Sequence, residues 1–198
     1  LKALLLGSIG KFEGEGGALD ELLQAQSKNP DDYYVFQARG LTRLKQASQI
    51  DDSQASAQQL RKKEKFLNQA ISEFELSFDK RPLVETVVNI GEARAEKARF
   101  LASHGGMEGK QQAAKERDLS IGSYTDALHE FPSDVRALRG LAKVRMESGE
   151  FEAALQDLLQ AQRIAPNSWE NQRWLGTLIE RQAIRDGALR RPEQAIEK

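Results

Sequence analysis

Three cations, Arg136, Arg139 and Lys143, stand three and seven residues apart, so on a helix they share one face. A basic stripe framed by acidic neighbours suits an extended peptide carrying a carboxylate or acidic side chains. The same spacing describes a solvated helix face with no ligand. Other candidate chemistry falls away on spacing. GGMEGK, residues 105–110, approaches a phosphate-binding loop but has one residue too few between its glycines, and Gln111 replaces the hydroxyl that would hold Mg²⁺. Gly14, Gly16 and Gly17 lack the preceding strand of a dinucleotide loop. The two histidines, His104 and His129, have no companion at a metal-ligand step on their own helices, and His129 near a helix end complements the dipole there. With no cysteine there is no thiolate nucleophile, and carboxylate pairs such as Glu73 with Glu75 are expected on any solvated helix. No catalytic constellation emerges, and neither cofactor nor metal is expected.

The elements that would carry the stripe follow from composition. Charged residues make up 30% of the 198, and 29 Lys plus Arg nearly cancel 30 Asp plus Glu. A net charge of −1 gives no bulk attraction to nucleic acid or anionic lipid. Few prolines and aromatics among many Ala, Leu, Gln, Glu, Arg and Lys predict an all-α protein. The opening LKALLLGSIG reads as part of a helix, and no apolar run approaches the roughly 18 residues of a membrane span. Cytoplasm and a bacterial periplasm are both compatible with the absence of cysteine.

Alignment on the prolines exposes a repeat. Twelve residues before Pro30, Pro82, Pro132 and Pro166 stand Ala18, Ala70, Ser120 and Ala154, and five before them stand Ala25, Ser77, Ala127 and Ala161. Eight before come Leu22, Phe74, Tyr124 and Leu158, and eleven before come Leu19, Ile71, Ile121 and Leu155. Small residues let two helix axes approach, while bulky ones a turn away fill the groove beside them. Each proline stops a helix, after which Asp31 or Asp32, Ser133 or Asp134, and Ser168 stand where N-caps are wanted.

The 34-residue unit from Val135 to Ser168, with Leu138, Leu141, Ala142, Ala154, Leu158, Ala161 and Pro166, resembles the tetratricopeptide repeat (TPR). Arg145 departs from the pattern, standing where an aromatic is usual; Leu175, Gly176 and Ile179 continue it. The resemblance implies a right-handed α-solenoid of stacked antiparallel helix pairs, with repeats at approximately 1–32, 33–83, 84–134, 135–168 and 169–198. Proline spacings of 52, 50 and 34 residues place extra residues inside the second and third hairpins, where apolar periodicity continues, so these arms should be elongated by about two turns each. Their turns are expected near Asp51 to Ser53 and at Gly105, Gly106 and Gly109. The pattern is cut at both ends, as in a piece of a longer array whose ends are covered by further repeats, a cap or a partner.

In TPR arrays the first helix of each pair lines the concave face. The resemblance therefore implies a partner groove of Tyr34, Gln37, Leu41, Glu85, Val88, Glu92, Arg136, Arg139, Lys143, Arg173 and Thr177, with Glu170 beside them. Asn89 and Arg136 fall at positions of the family's carboxylate clamp, but Gln37, Leu41 and Gly140 lack its other groups, so recognition of chaperone tails is not expected. Trp169 is expected in the core, while Trp174 could face a neighbour or solvent. The function implied is a non-enzymatic scaffold for a protein or peptide partner that can carry acidic groups. Self-assembly through the hairpins or repeat ends is the alternative. Nucleic-acid binding is disfavoured by Glu85, Glu92 and Glu170, which interrupt the basic strip.

Overall fold

The computed structural model describes residues 2–8, 10–185 and 187 of the chain. Among them are nine α-helices and no strand: α1 Lys2–Ser8, α2 Ala18–Lys28, α3 Tyr33–Ser48, α4 Ala57–Lys80, α5 Val84–His104, α6 Gly106–Glu130, α7 Val135–Glu147, α8 Phe151–Ile164 and α9 Trp169–Arg185. They fall into two compact units, Leu1–Ser123 and Tyr124–Lys198, with α6 running through the division. Residues 188–198, the second arm of the last expected repeat, lie outside the described residues.

In the first unit each helix from α1 to α5 packs on its sequence neighbour, α1 also meets α3 while α3 meets α5, and α6 is joined to α5 by the Ser120–Gly91 bond and the Arg94 and Lys97 pairs with Glu116. The second unit repeats the arrangement with α7 on α8, α8 on α9 and α7 on α9. Contacts between neighbours and next-but-one neighbours are what stacked helix pairs produce.

The prolines act where expected. Four helices end two residues before one, at Lys28, Lys80, Glu130 and Ile164, because the residue preceding a proline is driven out of helical conformation. The amide of that residue still closes the helix, donating to the carbonyl of Ala25, Ser77, Ala127 or Ala161 at 2.9–3.1 Å. These are the small residues five before each proline. After Pro30 and Pro132 the next helices begin on side-chain caps, Asp32 accepting from the Tyr34 amide and Asp134 from the Ala137 amide; α5 after Pro82 has none, and within the second hairpin Ser56 forms a capping box with Gln59.

Close approach is visible at the small positions. Ala18, Ala70, Ser120 and Ala154 are all fully buried. The two serines of the pattern also donate across helices, Ser77 Oγ to the Tyr33 carbonyl at 2.9 Å and Ser120 Oγ to the Gly91 carbonyl at 2.7 Å. A hydroxyl thus fills the space of a methyl while bonding to the neighbouring backbone. Glycine is required where a ring presses on a helix: a Cβ on Gly40 would lie 2.5 Å from Phe74, and one on Gly140 2.3 Å from Tyr124.

The inserted residues are helical, though not evenly shared. Against 13 and 14 residues in α7 and α8, α5 and α6 have 21 and 25, about two to three extra turns each. In the other long hairpin α3 has 16 and α4 has 24, so most of the insert extends α4. The α3–α4 loop turns at Asp51, whose carboxylate accepts from the Ser53 amide and hydroxyl, and it is tied to α4 by Lys63, which donates to the Ile50 carbonyl and pairs with Asp52. The Ser53 bonds lower the Asp51 pKa. The α5–α6 turn is tighter than expected, with Gly105 alone between the helices and Gly109 already inside α6. A Cβ on Gly105 would sit 2.4 Å from the Gly109 Cα, and Gly106 has φ +58°, so this reversal needs glycines.

Gly40→Ala is expected to cost about 1–2 kcal/mol of stability, because the Phe74 ring must move, despite alanine's better helix propensity. Urea denaturation of Gly40→Ala, Phe74→Leu and the double variant checks this: the double variant should be more stable than additivity allows.

Candidate functional site

On α3 and α5 the expected groove residues divide by burial. Tyr34, Leu41, Glu85 and Glu92 are exposed, whereas Gln37 and Val88 are only 4% and 2% exposed and serve packing instead. The reason is crowding: α3 is covered by α1, α2, α4 and α5, so its free arc is narrower than that of a helix with one neighbour. The open stripe runs Tyr34, Leu41, Lys45 on α3 and Glu85, Glu92 on α5, steps of seven and four that return to the same face. Lys45 and, partly buried beyond Glu92, Glu96 were not anticipated from the sequence, although a further step of four from Leu41 and Glu92 points to them.

Leu41, Lys45, Glu92 and Glu96, but not Tyr34 or Glu85, meet in a cleft of about 250 Å³. Its apolar lining is Leu41, Leu44, Ala47 and Leu67; Lys45 and Lys63 come from α3 and α4, and Glu92 and Glu96 from α5. Leu41 remains 36% exposed there. Lys63 is held by Asp52, and Glu96 pairs with Arg99.

The basic stripe of α7 is a packing seam toward α9. Arg139 pairs with Glu170 at 2.6 Å and also reaches Ser168 Oγ and Asn171 Oδ1 at 3.4 Å. Lys143 places its ammonium 4.4 Å from the centre of the Trp174 ring, a cation–π contact. Arg136 is exposed at the start of the helix. Arg173 is exposed with its guanidinium 5.9 Å from the same ring, and Thr177 donates its hydroxyl to the Arg173 carbonyl. Trp169 reverses expectation at 65% exposed, whereas Trp174, for which the sequence left both a neighbour and solvent open, packs against the cluster of Ala142, Met146, Phe151, Ala154, Leu158 and Leu178. Gly176 is exposed, with open space where a side chain would be.

Buried ion pairs also escaped the sequence reading. Arg145, in the usual aromatic place, donates to both carboxylate oxygens of Asp157 at 2.8 and 2.7 Å. Glu73 does not lie on a solvated face: it is half-buried and pairs with Arg39 at 2.6 Å, while Arg39 also donates to Gln26. Burial raises the pKa of both acids, with Arg39 and Arg145 opposing the rise. Glu21, which pairs with Lys2, Glu73 and Asp157 all stand nine residues before a proline, the one signal that could have found them.

Catalytic features remain scattered. His104 stacks on Phe100 with ring centres 5.1 Å apart and places Nδ1 3.1 Å from the Phe100 carbonyl; His129 is exposed beside Glu130. Residues 106–110 begin α6 instead of forming a phosphate loop. No group of three potential metal ligands occurs among the described residues, and none of their helices is long and apolar enough to cross a membrane.

No family model matches this sequence, and no curated protein does. A solved structure is similar: the crystal structure of TTC0263, a thermophilic TPR protein in Thermus thermophilus. The likeness has a TM-score of 0.62 at 17% identity and covers 82% of this chain and 72% of that one. The fold is that of a TPR protein. In TPR terms the α3–α5 cleft lies between the first helices of two successive hairpins, and Arg145–Asp157 is a charged substitute for an aromatic within one hairpin.

Arg145→Ala should cost roughly 3 kcal/mol at pH 7 by leaving a buried carboxylate without its cation. The folded-state pKa of Asp157, already above its unfolded value, then rises further, so the folded form takes up a proton preferentially as pH falls and the deficit against wild type shrinks toward pH 5. Denaturation curves of both proteins at pH 7 and pH 5 measure the difference.

Proposed function

We propose that this chain is a non-enzymatic interaction module that holds a segment of a partner protein in the α3–α5 cleft. One observation carries the reading: Leu41 is an exposed apolar side chain that lines the cleft together with Leu44 and Leu67, with Lys45 and Lys63 contributed by α3 and α4 and Glu92 and Glu96 by α5. An apolar anchor with a polar rim is the anatomy of an interface hot spot. The segment it fits carries an apolar side chain for the floor and an acidic group toward Lys45. The TPR fold supports protein as the partner class, and the acidic wall of α5 counts against a nucleic-acid backbone. The repeats are read as successive units of one array, with Arg136 and Arg173 as additional exposed cations in the second unit.

Self-assembly is the second reading, favoured by Trp169 and Ile179, two large apolar side chains exposed on α9. Light scattering across a hundredfold concentration range separates the two, since association through α9 raises the mass with concentration and Trp169→Lys abolishes the rise.

The cleft is tested with peptides selected from a random display library on the wild-type protein. Leu41→Asp is expected to weaken them at least tenfold with helicity unchanged by circular dichroism, while Arg136→Glu has a smaller effect. Selected peptides that bind Leu41→Asp as tightly as wild type would exclude this cleft.

A further inference from the structure

We propose that the extended ends of α4, α5 and α6 form a binding site for a single basic amino acid. Within the first unit these three helices enclose a cleft of about 490 Å³. Small-molecule sites span roughly 300–1,000 Å³. Aligned on the prolines, α7 and α8 correspond to the first 13 residues of α5 and to the last 14 of α4 and α6. Every residue lining the cleft falls within 57–64, 100–105 or 108–112, outside those parts. The added turns therefore build a concavity that the 34-residue repeat has no residues to form.

The lining selects the ligand. Leu60, Phe100 and Leu101 supply apolar surface and pack in the cluster that also holds Phe66, Leu67 and Ala113. Glu64, Glu108, Arg61, His104 and Gln112 add the polar groups. His104 Nδ1 lies 3.1 Å from the Phe100 carbonyl; a carbonyl only accepts, so Nδ1 carries the proton and Nε2 is the acceptor of the neutral ring. Gln112 donates its amide to Glu108 at 3.3 Å, which leaves the Gln112 carbonyl oxygen as a further acceptor. Arg61 and Glu64 enter no hydrogen bond or ion pair among the described residues. Two carboxylates against one guanidinium leave the cleft one negative charge in excess. Its complement carries two cationic groups, one carboxylate and an aliphatic stem: the cations meet Glu64 and Glu108, the carboxylate meets Arg61, and the stem lies on Leu60 and Phe100. That description is an α-amino acid with a basic side chain. A nucleotide would instead bring several negative charges to a cleft with one cation. The inference does not rest on the α3–α5 cleft being the partner site.

The test is titration of the whole chain with arginine up to about 10 mM, followed through backbone amide resonances by NMR. Saturable shifts are expected at residues 57–64 and 100–112. Norvaline, which keeps the stem and the α-groups but lacks the guanidinium, and agmatine, which lacks the carboxylate, should each bind at least about tenfold more weakly, as the loss of a charged hydrogen bond implies. Glu64→Gln and Glu108→Gln should each weaken arginine by a similar factor, whereas Glu15→Gln, an exposed acid outside the cleft, should not. The two variants are measured separately, with circular dichroism, so that a failure of one to fold leaves the other to decide. Absence of saturation by arginine, undiminished binding in a folded Glu108→Gln, or norvaline or agmatine binding as tightly as arginine would overturn the proposal. Peptides selected for the α3–α5 cleft are measured on the same variants, and their behaviour bears only on that cleft.

Discussion

Helices in this protein come close because small groups stand at the points of contact. Ala18, Ala70, Ser120 and Ala154 have no exposed surface, and Ser77 and Ser120 turn their hydroxyls onto the backbone of the helix they touch. A larger side chain at any of these places would hold the axes apart and unseat Phe74, Tyr124 and Leu158, which fill the adjoining grooves. The prolines extend the same constraint along the chain. Each ends a helix so that its final carbonyl bond falls on the small residue one turn back, tying the end of the helix to the position that sets its approach to the next.

Charge organises what apolar packing leaves undetermined. Arg39 reaches Gln26 on α2 and Glu73 on α4, and Arg94 reaches Glu75 on α4 and Glu116 on α6, so one guanidinium links the helices on either side of its own. The planar, always charged fork of arginine suits such a bridge better than the point charge of lysine. Arg145 and Asp157 bring the device inside a single hairpin. Burial of Glu73 and Asp157 costs desolvation, which their raised pKa values express, and the arginines offset it. These pairs add geometric selection to a seam that alanines alone would leave free to slide.

The helix ends before the prolines were legible because steric rules act locally: proline disrupts the helix before it, Asp32, Ser56 and Asp134 cap the helix after them, and small residues recur in phase. The candidate site was legible only in part. Leu41 and Glu92 reached the cleft, but Gln37 and Val88 on the same helices are buried, since burial there depends on how many neighbours crowd a helix. The tryptophans show the same limit, with Trp169 left in the open at the start of α9 and Trp174 seated under Lys143. Arg136, Arg139 and Lys143 do share a face, as their spacing required, yet Arg139 and Lys143 spend it on α9.

By itself, then, the order of residues determined that the chain is helical, where its helices stop, and which small and bulky positions confront one another, because each of those outcomes depends on backbone sterics within a turn or two. Tertiary structure decided which side chains remain available to another molecule. Exposure belongs to neighbours distant in sequence: Asn171 and Glu170 set the surroundings of Arg139 from across the second unit, and Lys63 and Leu67 complete a cleft begun by Leu41. Periodicity can name the face of a helix, but only the packed partners determine whether that face meets protein or water.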